Sequence, residues 1–176
     1  MTRGVSASRL IILTGASGAG KTAIAKSIKD RRPKVADVVH FDHVGVPTPE
    51  VMIAGWGSGE AWQRASTLQW MERLARRPNQ LTPLLFEGQM RFAFVEEGLR
   101  LAKIGNARVV LVDCDDSTRS NRLHRERGQP DLANPTMMSW AEYLRREAQA
   151  GGYDILDTSA LNLDQGVDRV CAYLSE

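Results

Sequence analysis

The chain has 176 residues, of which 43% are hydrophobic and 25% charged, and its formal net charge is +2. This length and apolar content allow one globular domain with a full core, and the small charge excess argues against a nucleic-acid-binding surface. The two cysteines, Cys114 and Cys171, lack the spacing of a metal site or a redox pair.

The sequence offers no segment that would enter or cross a membrane. No apolar run approaches the roughly 18–20 residues that a transmembrane helix needs. The four apolar residues Leu10 to Leu13 that follow the polar start are too few for a secretion signal. These patterns predict a cytoplasmic protein that binds neither membranes nor nucleic acid.

The first predicted elements are a strand, a glycine-rich loop and a helix. The apolar run Leu10-Ile11-Ile12-Leu13 is typical of a buried parallel strand over residues 9–14, and Ile24 and Ile28 mark one face of a helix over residues 21–31. The loop between them reads GASGAGKT and matches G-x-x-x-x-G-K-[ST]. Such a loop turns backbone N–H groups toward phosphates, while its lysine reaches the β- and γ-phosphates and its hydroxyl ligates Mg²⁺. The predicted nucleotide contacts are Gly15, Ala16, Ser17, Gly18, Ala19, Gly20, Lys21 and Thr22.

Strand-like and helix-like segments alternate along the rest of the chain. The patterns predict, in order, a strand at 35–41, a loop or broken helix at 43–59, a helix at 60–76, a strand at 81–86, a helix at 92–104 closed by Gly105, a strand at 108–112, a basic helix at 117–127, a loop at 128–135, a helix at 137–150, a strand at 153–156 and a helix at 164–174 capped by Asp164. This alternation predicts an α/β fold with a parallel sheet covered on both faces, and ligands of such sheets bind beyond the carboxyl ends of the strands.

Two acidic residues follow predicted strands at that edge. Asp42 could accept a proton from a substrate hydroxyl or hold Mg²⁺ through water, or it could be an ordinary cap. Glu87 fits a second carboxylate that organises Mg²⁺, and it could instead anchor substrate, orient the nucleophile or lie at the surface. Arg91, four residues later, fits either a substrate anion or a neighbouring acid.

The segment from Arg119 to Gly128 is strongly basic, with four arginines in nine positions. Arg119, Arg122 and Arg125 recur every three residues, which crowds them on one side of a helix unless an anion arrives. Guanidinium groups neutralise charge on a transferring phosphoryl group. Together with the following glycine- and proline-containing loop, the segment predicts a movable lid at about 117–135; the alternative is a solvated basic face paired with acids.

Three of the four tryptophans, Trp56, Trp62 and Trp70, lie between the second and third predicted strands. The pattern favours core packing for Trp62 and Trp70. Glycines flank Trp56, which favours a substrate-facing aromatic wall there. We therefore interpret residues 43–78 as a substrate-side insertion within a single domain of residues 1–176.

With these residues, the chain resembles the P-loop small-molecule kinases, the group that includes adenylate, shikimate, gluconate, adenylylsulfate and chloramphenicol kinases. The phosphate loop, Arg122-Leu123, Arg127-Gly128 and the turn Leu156-Asp157-Thr158-Ser159 carry the resemblance. It implies a three-layer fold with five parallel strands in the order 2-3-1-4-5, Mg²⁺-ATP as phosphoryl donor, and Asp42 in the base or metal position.

The resemblance and the residues together give candidate roles. The catalytic candidates are Lys21, Asp42, Arg122 and Arg127. Arg119 and Thr158 join the loop as nucleotide contacts. The substrate-binding candidates are Asp42, Trp56, Glu87, Arg91 and Arg125, and the metal candidates are Thr22, Asp42 and Glu87. The sequence lacks an Asp-x-Asp after the second strand and a Gly-Gly-Gly after the third, which leaves the acceptor open.

These features predict an ATP-dependent kinase that phosphorylates a small metabolite, nucleotide or antibiotic. One alternative is a P-loop ATPase or nucleotide switch that acts on a protein partner, although neither Asn/Thr-Lys-x-Asp nor Leu-Ser-Gly-Gly-Gln occurs in the sequence. A second alternative is a degenerate domain that senses ATP without chemistry. The oligomeric state, monomer or homodimer, is left open.

Overall fold

A five-stranded parallel sheet forms the centre of the structure, a computed structural model that describes residues 9–78 and 81–175. Residues 1–8, 79–80 and 176 of the expected domain lie outside the described part. The strands are β1 (Leu10–Thr14), β2 (Asp37–His40), β3 (Leu84–Glu87), β4 (Ala107–Asp113) and β5 (Asp154–Asp157). Their order, β2-β3-β1-β4-β5, confirms the α/β fold that the sequence pattern predicted and the strand order that the resemblance to P-loop small-molecule kinases implied.

Helices connect successive strands and cover both faces of the sheet. In the described residues they are α1 (Lys21–Arg31), α2 (Pro49–Trp56), α3 (Gly59–Ala75), α4 (Phe92–Leu101), α5 (Asp116–Asn121), α6 (Pro135–Gly151) and α7 (Leu163–Ser175). Short 3₁₀ turns occupy Phe41–Val44 and Pro130–Leu132, and a π-turn spans Arg122–Glu126.

The central strand β1 separates two apolar layers. Leu10 and Ile12 pack in the layer that contains α3, α4 and α6, whereas Ile11 and Leu13 pack in the layer of α1 and α7. All four side chains are at most 5% exposed. The strand is apolar throughout because parallel strands are covered on both faces.

Side-chain caps explain where several helices begin. Each capping oxygen accepts a hydrogen bond from a backbone N–H three residues later, which satisfies one of the free donors of the first turn. The capping residues are Thr48 for α2, Ser58 for α3, Asp115 for α5 and Asn134 for α6.

Two helix boundaries differ from the sequence-based predictions because other residues take the terminal roles. The helix predicted to close at Gly105 ends at Leu101, and Lys103 adopts the left-handed conformation at φ 56°. Asp164 is not a cap: Asn162 accepts from the Gln165 backbone at 2.9 Å, and Asp164 instead pairs with Arg31 at 2.7 Å.

Three further segments also differ. Residues 43–59 contain a regular helix, α2, because Thr48 and Pro49 start it despite the surrounding glycines. The third strand begins at Leu84 and leaves Leu81 71% exposed. The predicted basic helix over 117–127 divides into α5 and the π-turn.

Two helix glycines provide a matched test of core packing. A Cβ on Gly98 would lie 2.5 Å from Cγ of the fully buried Met71, whereas a Cβ on Gly55 would meet nothing within 4 Å. We expect Gly98→Ala to lower the free energy of unfolding by about 1–3 kcal/mol through overpacking. Gly55→Ala should raise it by about 0.5–1 kcal/mol through helix propensity. Urea unfolding of both variants checks this, and equal effects would contradict the packing of α3 on α4.

Candidate active site

The loop between β1 and α1 forms a tight cradle at the carboxyl end of the sheet. Gly15 and Gly18 have φ values of 152° and 82°, and a Cβ on Gly15 would lie 2.1 Å from the Val112 carbonyl oxygen. No other residue type fits at Gly15, because the backbone of β4 passes so close. The loop leads directly into the N-terminus of α1, where backbone N–H groups and the helix dipole favour an anion.

Lys21 places its ammonium group inside this cradle. The residue is 5% exposed, and its Nζ donates to the Ala16 carbonyl oxygen at 3.1 Å. Burial lowers the pKa of Lys21 to about 8, against the opposing charge of Glu87 and with a further lowering by Arg119 and Arg127. A poorly solvated ammonium gains much from an arriving anion, so the position suits a phosphate group.

Glu87, at the end of β3, connects the phosphate loop to β2. It is 5% exposed and accepts hydrogen bonds from the Thr22 hydroxyl, whose Oγ1 lies 3.3 and 3.4 Å from the two carboxylate oxygens. His40 Nδ1 lies 2.7 Å from Oε1 of Glu87. Because a carboxylate only accepts, this nitrogen carries the proton. The Thr22 hydroxyl and the Glu87 carboxylate are oxygen ligands of the kind that Mg²⁺ prefers.

Asp42 lies near this cluster, in the 3₁₀ turn after β2. Its side chain is exposed to solvent. Its pKa is raised, first by desolvation in the cleft and second by the charge of Glu87, while Lys21, His40 and Arg127 oppose the rise. A carboxylate with a raised pKa at the mouth of the cradle is suited to accept a proton.

The basic segment closes one side of the cradle. Arg122 donates to the hydroxyl and carbonyl oxygens of Thr158, at 2.9 and 2.8 Å, and thereby connects the segment to the turn after β5. Arg122, Glu126 and Arg127 line a cleft of about 200 Å³ with the loop and the start of α1.

A second cleft continues from the first toward α7 and has an apolar wall. Its volume is about 310 Å³, and Ile24, Thr158 and Leu161 are among its lining residues, with Arg122 at the junction with the first cleft. An apolar slot beside a phosphate cradle has the form that a nucleoside requires.

The loop after β3 is fixed against the phosphate loop by residues that the sequence analysis did not single out. Thr14 Oγ1 donates to the Met90 carbonyl oxygen at 2.6 Å, and Gln89 Nε2 donates to Ser17 Oγ at 2.9 Å. Gln63 Nε2 in turn donates to the Gln89 carbonyl oxygen at 3.1 Å. The sequence does carry a signal for Gln89. It lies two residues after Glu87, at the end of β3, and residues that follow the strands meet at this edge of the sheet.

Solved structures of two small-molecule kinases and of an antibiotic resistance protein are similar in fold to this chain. A gluconokinase from Sinorhizobium meliloti 1021 is 19% identical, with 95% of this chain and 91% of that chain covered and a TM-score of 0.66. A shikimate kinase from Acinetobacter baumannii, in complex with shikimate, is 17% identical over 96% and 93% of the chains, with a TM-score of 0.64. The tunicamycin resistance protein of Deinococcus radiodurans is 19% identical over 95% of each chain, with a TM-score of 0.65. No family model and no curated protein matches the sequence.

The fold is that of the P-loop small-molecule kinases. Among the helices that the structure describes, none is long and apolar enough to span a membrane.

Arg119 was predicted to contact the nucleotide, but in this fold it does not lie at the cleft. Its side chain is completely buried behind the loop, where it donates to the Ser17 carbonyl oxygen at 2.8 Å and to Asp113 at 2.7 Å. Arg145 from α6 donates to the other oxygen of Asp113 at 2.6 Å. Arg119 therefore supports the loop from within and does not face the cleft; the prediction of a direct contact is corrected.

The π-turn explains which other arginines reach the cleft. The Arg127 backbone N–H donates to the Arg122 carbonyl oxygen at 3.0 Å, which closes a turn of five residues. In an α-helix, residues five apart would face about 140° apart. The wider turn brings Arg122 and Arg127 to the same cleft, whereas Arg125 is exposed and lines neither of the two clefts.

Arg91, one of the substrate-binding candidates, contacts side chains of both α3 and α6. Arg91 pairs with Glu60 at 3.2 Å, and its guanidinium carbon lies 4.9 and 5.0 Å from the ring centroids of Trp140 and Tyr143. The alternative of pairing with an acid is therefore the one that the structure shows.

Two of the three tryptophans in the 43–78 segment lie in the core, as the sequence suggested. Trp62 and Trp70 belong to the core, at 9% and 7% exposure, and Trp70 Nε1 donates to the Phe41 carbonyl oxygen at 3.1 Å. Trp56, at the end of α2, is 42% exposed.

Proposed function

We propose that this protein is an ATP-dependent kinase that transfers the γ-phosphoryl group to a hydroxyl or phosphate group of a small molecule. The observation that carries the proposal is that Lys21, Thr22, Arg122 and Arg127 line one cleft. Glu87 is hydrogen-bonded to Thr22, and Asp42 is near enough for the charges of Glu87, Lys21 and Arg127 to shift its pKa. Catalysis of phosphoryl transfer consists largely of positioning and charge stabilisation, and these groups supply both.

In the proposed reaction, Lys21 and the loop N–H groups hold the β- and γ-phosphates. Asp42 takes the proton from the acceptor hydroxyl. The acceptor oxygen forms a bond to the γ-phosphorus as the bond to the β–γ bridging oxygen breaks, and ADP leaves with that electron pair. Arg122 and Arg127 stabilise the charge on the transferring group. The adenine moiety fits the apolar cleft beside Thr158.

Thr22 and Glu87, which are hydrogen-bonded to each other, are the residues that would hold Mg²⁺, and Asp42 is left to act as the base. Among residues 9–78 and 81–175, no group of three or more His, Cys, Asp or Glu side chains forms a metal cage. This fits Mg²⁺, which usually binds through one or two carboxylates, waters and substrate phosphates. When bound, the ion supplies charge neutralisation of the phosphates.

We further propose that residues 117–135 act as the lid and residues 43–78 as the acceptor side of one domain. Closure of the lid would exclude water from the cradle. The β3–α4 loop, which Gln89 connects to Ser17, would separate the donor from the acceptor side.

Calorimetric titration with Mg²⁺-ATP, followed by an acceptor screen, tests the function. Thermal shifts with a non-hydrolysable ATP analogue identify the acceptor, because a ligand of the folded state raises the apparent stability; ADP release then measures transfer. Binding of Mg²⁺-ATP with acceptor-dependent ADP release is expected. Acceptor-independent ATP hydrolysis that a protein partner stimulates would support the ATPase or switch alternative instead.

Asp42→Asn is expected to reduce kcat by about 10²–10³-fold, because a general base typically contributes that much. The Kd for Mg²⁺-ATP should stay within about twofold, since the amide retains the shape of the side chain. Asp30→Asn, an exposed position on α1, is the matched control and should retain wild-type turnover. An unchanged kcat in Asp42→Asn would assign the proton transfer to another group.

A further inference from the structure

The segment from Val44 to Trp56, here called the apolar flap, exposes large apolar side chains beside the proposed active site. Of the nine exposed large hydrophobic residues that the structure describes, five lie in the flap and the other four are scattered. The five and their exposed fractions are Val44 55%, Val46 53%, Val51 52%, Ile53 61% and Trp56 42%. Such a cluster marks a binding surface more often than a lone exposed residue does.

The flap is only loosely held by the rest of the protein. Its helix, α2, contains no buried residue, and Met52 is its side chain that packs against the core. Gly45, the second residue of the flap, and Gly57, which follows it, have positive φ values of 86° and 85°, and a Cβ on either would meet nothing within 4 Å. Core packing therefore does not account for the apolar composition of α2, since packing is what normally stabilises a helix this short.

The flap lies on the acceptor side of the cradle. Val44 belongs to the same 3₁₀ turn as Asp42, so the flap begins two residues from the proposed base. Its far end leads into α3, whose first turn holds Glu60, the partner of Arg91. The flap thus joins Asp42 to the Arg91 side of the site.

The charges around the flap indicate what it would bind. Residues 44–58 contain no lysine or arginine and a single acid, Glu50. Arg91 is already paired with Glu60 and stacked on aromatic rings. An acidic acceptor would find no cation on the flap, whereas an apolar group would remove its side chains from water.

We propose that the apolar flap covers the apolar body of the phosphoryl acceptor, so that the substrate is an amphipathic alcohol whose hydroxyl group lies at Asp42. This inference rests on the kinase function proposed above and narrows it to a class of acceptor.

A series of n-alkyl β-D-glucosides tests the apolar subsite directly. Methyl, butyl, hexyl and octyl glucosides, each below its micelle concentration, are titrated into the full chain by calorimetry with and without Mg²⁺-ADP. We expect the Kd to fall by about fourfold for each methylene that becomes buried. Val51→Ser/Ile53→Ser should flatten this dependence on chain length. Leu101→Ser, a 56% exposed leucine on α4, is the matched control and should leave it unchanged.

Several outcomes would overturn the proposal. They are a Kd independent of chain length, an equal dependence in the double variant, a dimer in sedimentation analysis that Val51→Ser/Ile53→Ser dissociates, or binding of the wild type to phosphatidylcholine vesicles. The kinase proposal fails by a different measurement, because it would be overturned by the absence of Mg²⁺-ATP binding. The glucoside titrations would still test the flap in that case.

Discussion

Lys21→Ala is expected to reduce phosphoryl transfer by about 10³-fold or more while the protein remains folded. Cationic groups that stabilise charge on a transferring phosphoryl group are worth about 10³–10⁵ in rate. Lys21 Nζ is positioned for that task inside the loop, where it contacts the Ala16 carbonyl oxygen. Its burial lowers its pKa to about 8, so its removal relieves an unfavourable desolvation and should not lower stability. ADP release with the screened acceptor and urea unfolding measure the two effects.

Lys29→Ala is the control for this experiment, because Lys29 lies on the exposed side of the same helix. It should retain wild-type turnover and Mg²⁺-ATP affinity. Wild-type activity in Lys21→Ala would overturn the assignment of the loop as the phosphate site and, with it, the kinase function.

Arg119→Ala is expected to lower the free energy of unfolding by about 3–5 kcal/mol, the usual cost of removing one partner from a buried ion pair. Arg119 is fully buried and Asp113 is 5% exposed. The substitution leaves one Asp113 oxygen without its cation and the Ser17 carbonyl oxygen without its donor. Arg145 still holds the other oxygen, so we expect a weakened fold and not an unfolded one. Urea unfolding measures the loss.

Arg125→Ala gives the comparison for Arg119, since it removes the same side chain from an exposed position of the same segment. Its effect on stability should stay within about 0.5 kcal/mol. A loss below about 1 kcal/mol in Arg119→Ala, combined with weaker Mg²⁺-ATP binding, would contradict the supporting role and restore Arg119 as a direct nucleotide contact.

The phosphate loop and the central strand could be predicted because their physical requirements are local. Gly18 and Gly20 have positive φ values of 82° and 101° that glycine adopts without strain, and the continuous apolar run of β1 has one low-energy place, inside a sheet covered on both faces. The same reasoning placed Asp42 and Glu87 at strand ends, where a parallel sheet brings them to one edge.

Interactions between distant residues could not be predicted from spacing. The three-residue spacing of Arg119, Arg122 and Arg125 suggested one basic face. However, Arg119 is buried through its ion pair with Asp113, and the π-turn changes the directions in which the following side chains point. Likewise, Arg91 could pair with any nearby acid, and only the packing of α3 beside α4 supplies Glu60.

The sequence by itself determined the order of strands and helices, the loop that suits a phosphate and the acidic residues at the sheet edge. These follow from backbone conformation and apolar periodicity, which act over a few residues. The tertiary structure alone decided which arginines face the cleft, which support the loop, and that α2 presents an apolar surface beside Asp42. Those outcomes depend on charges and contacts between segments far apart in the chain, and no local pattern encodes them.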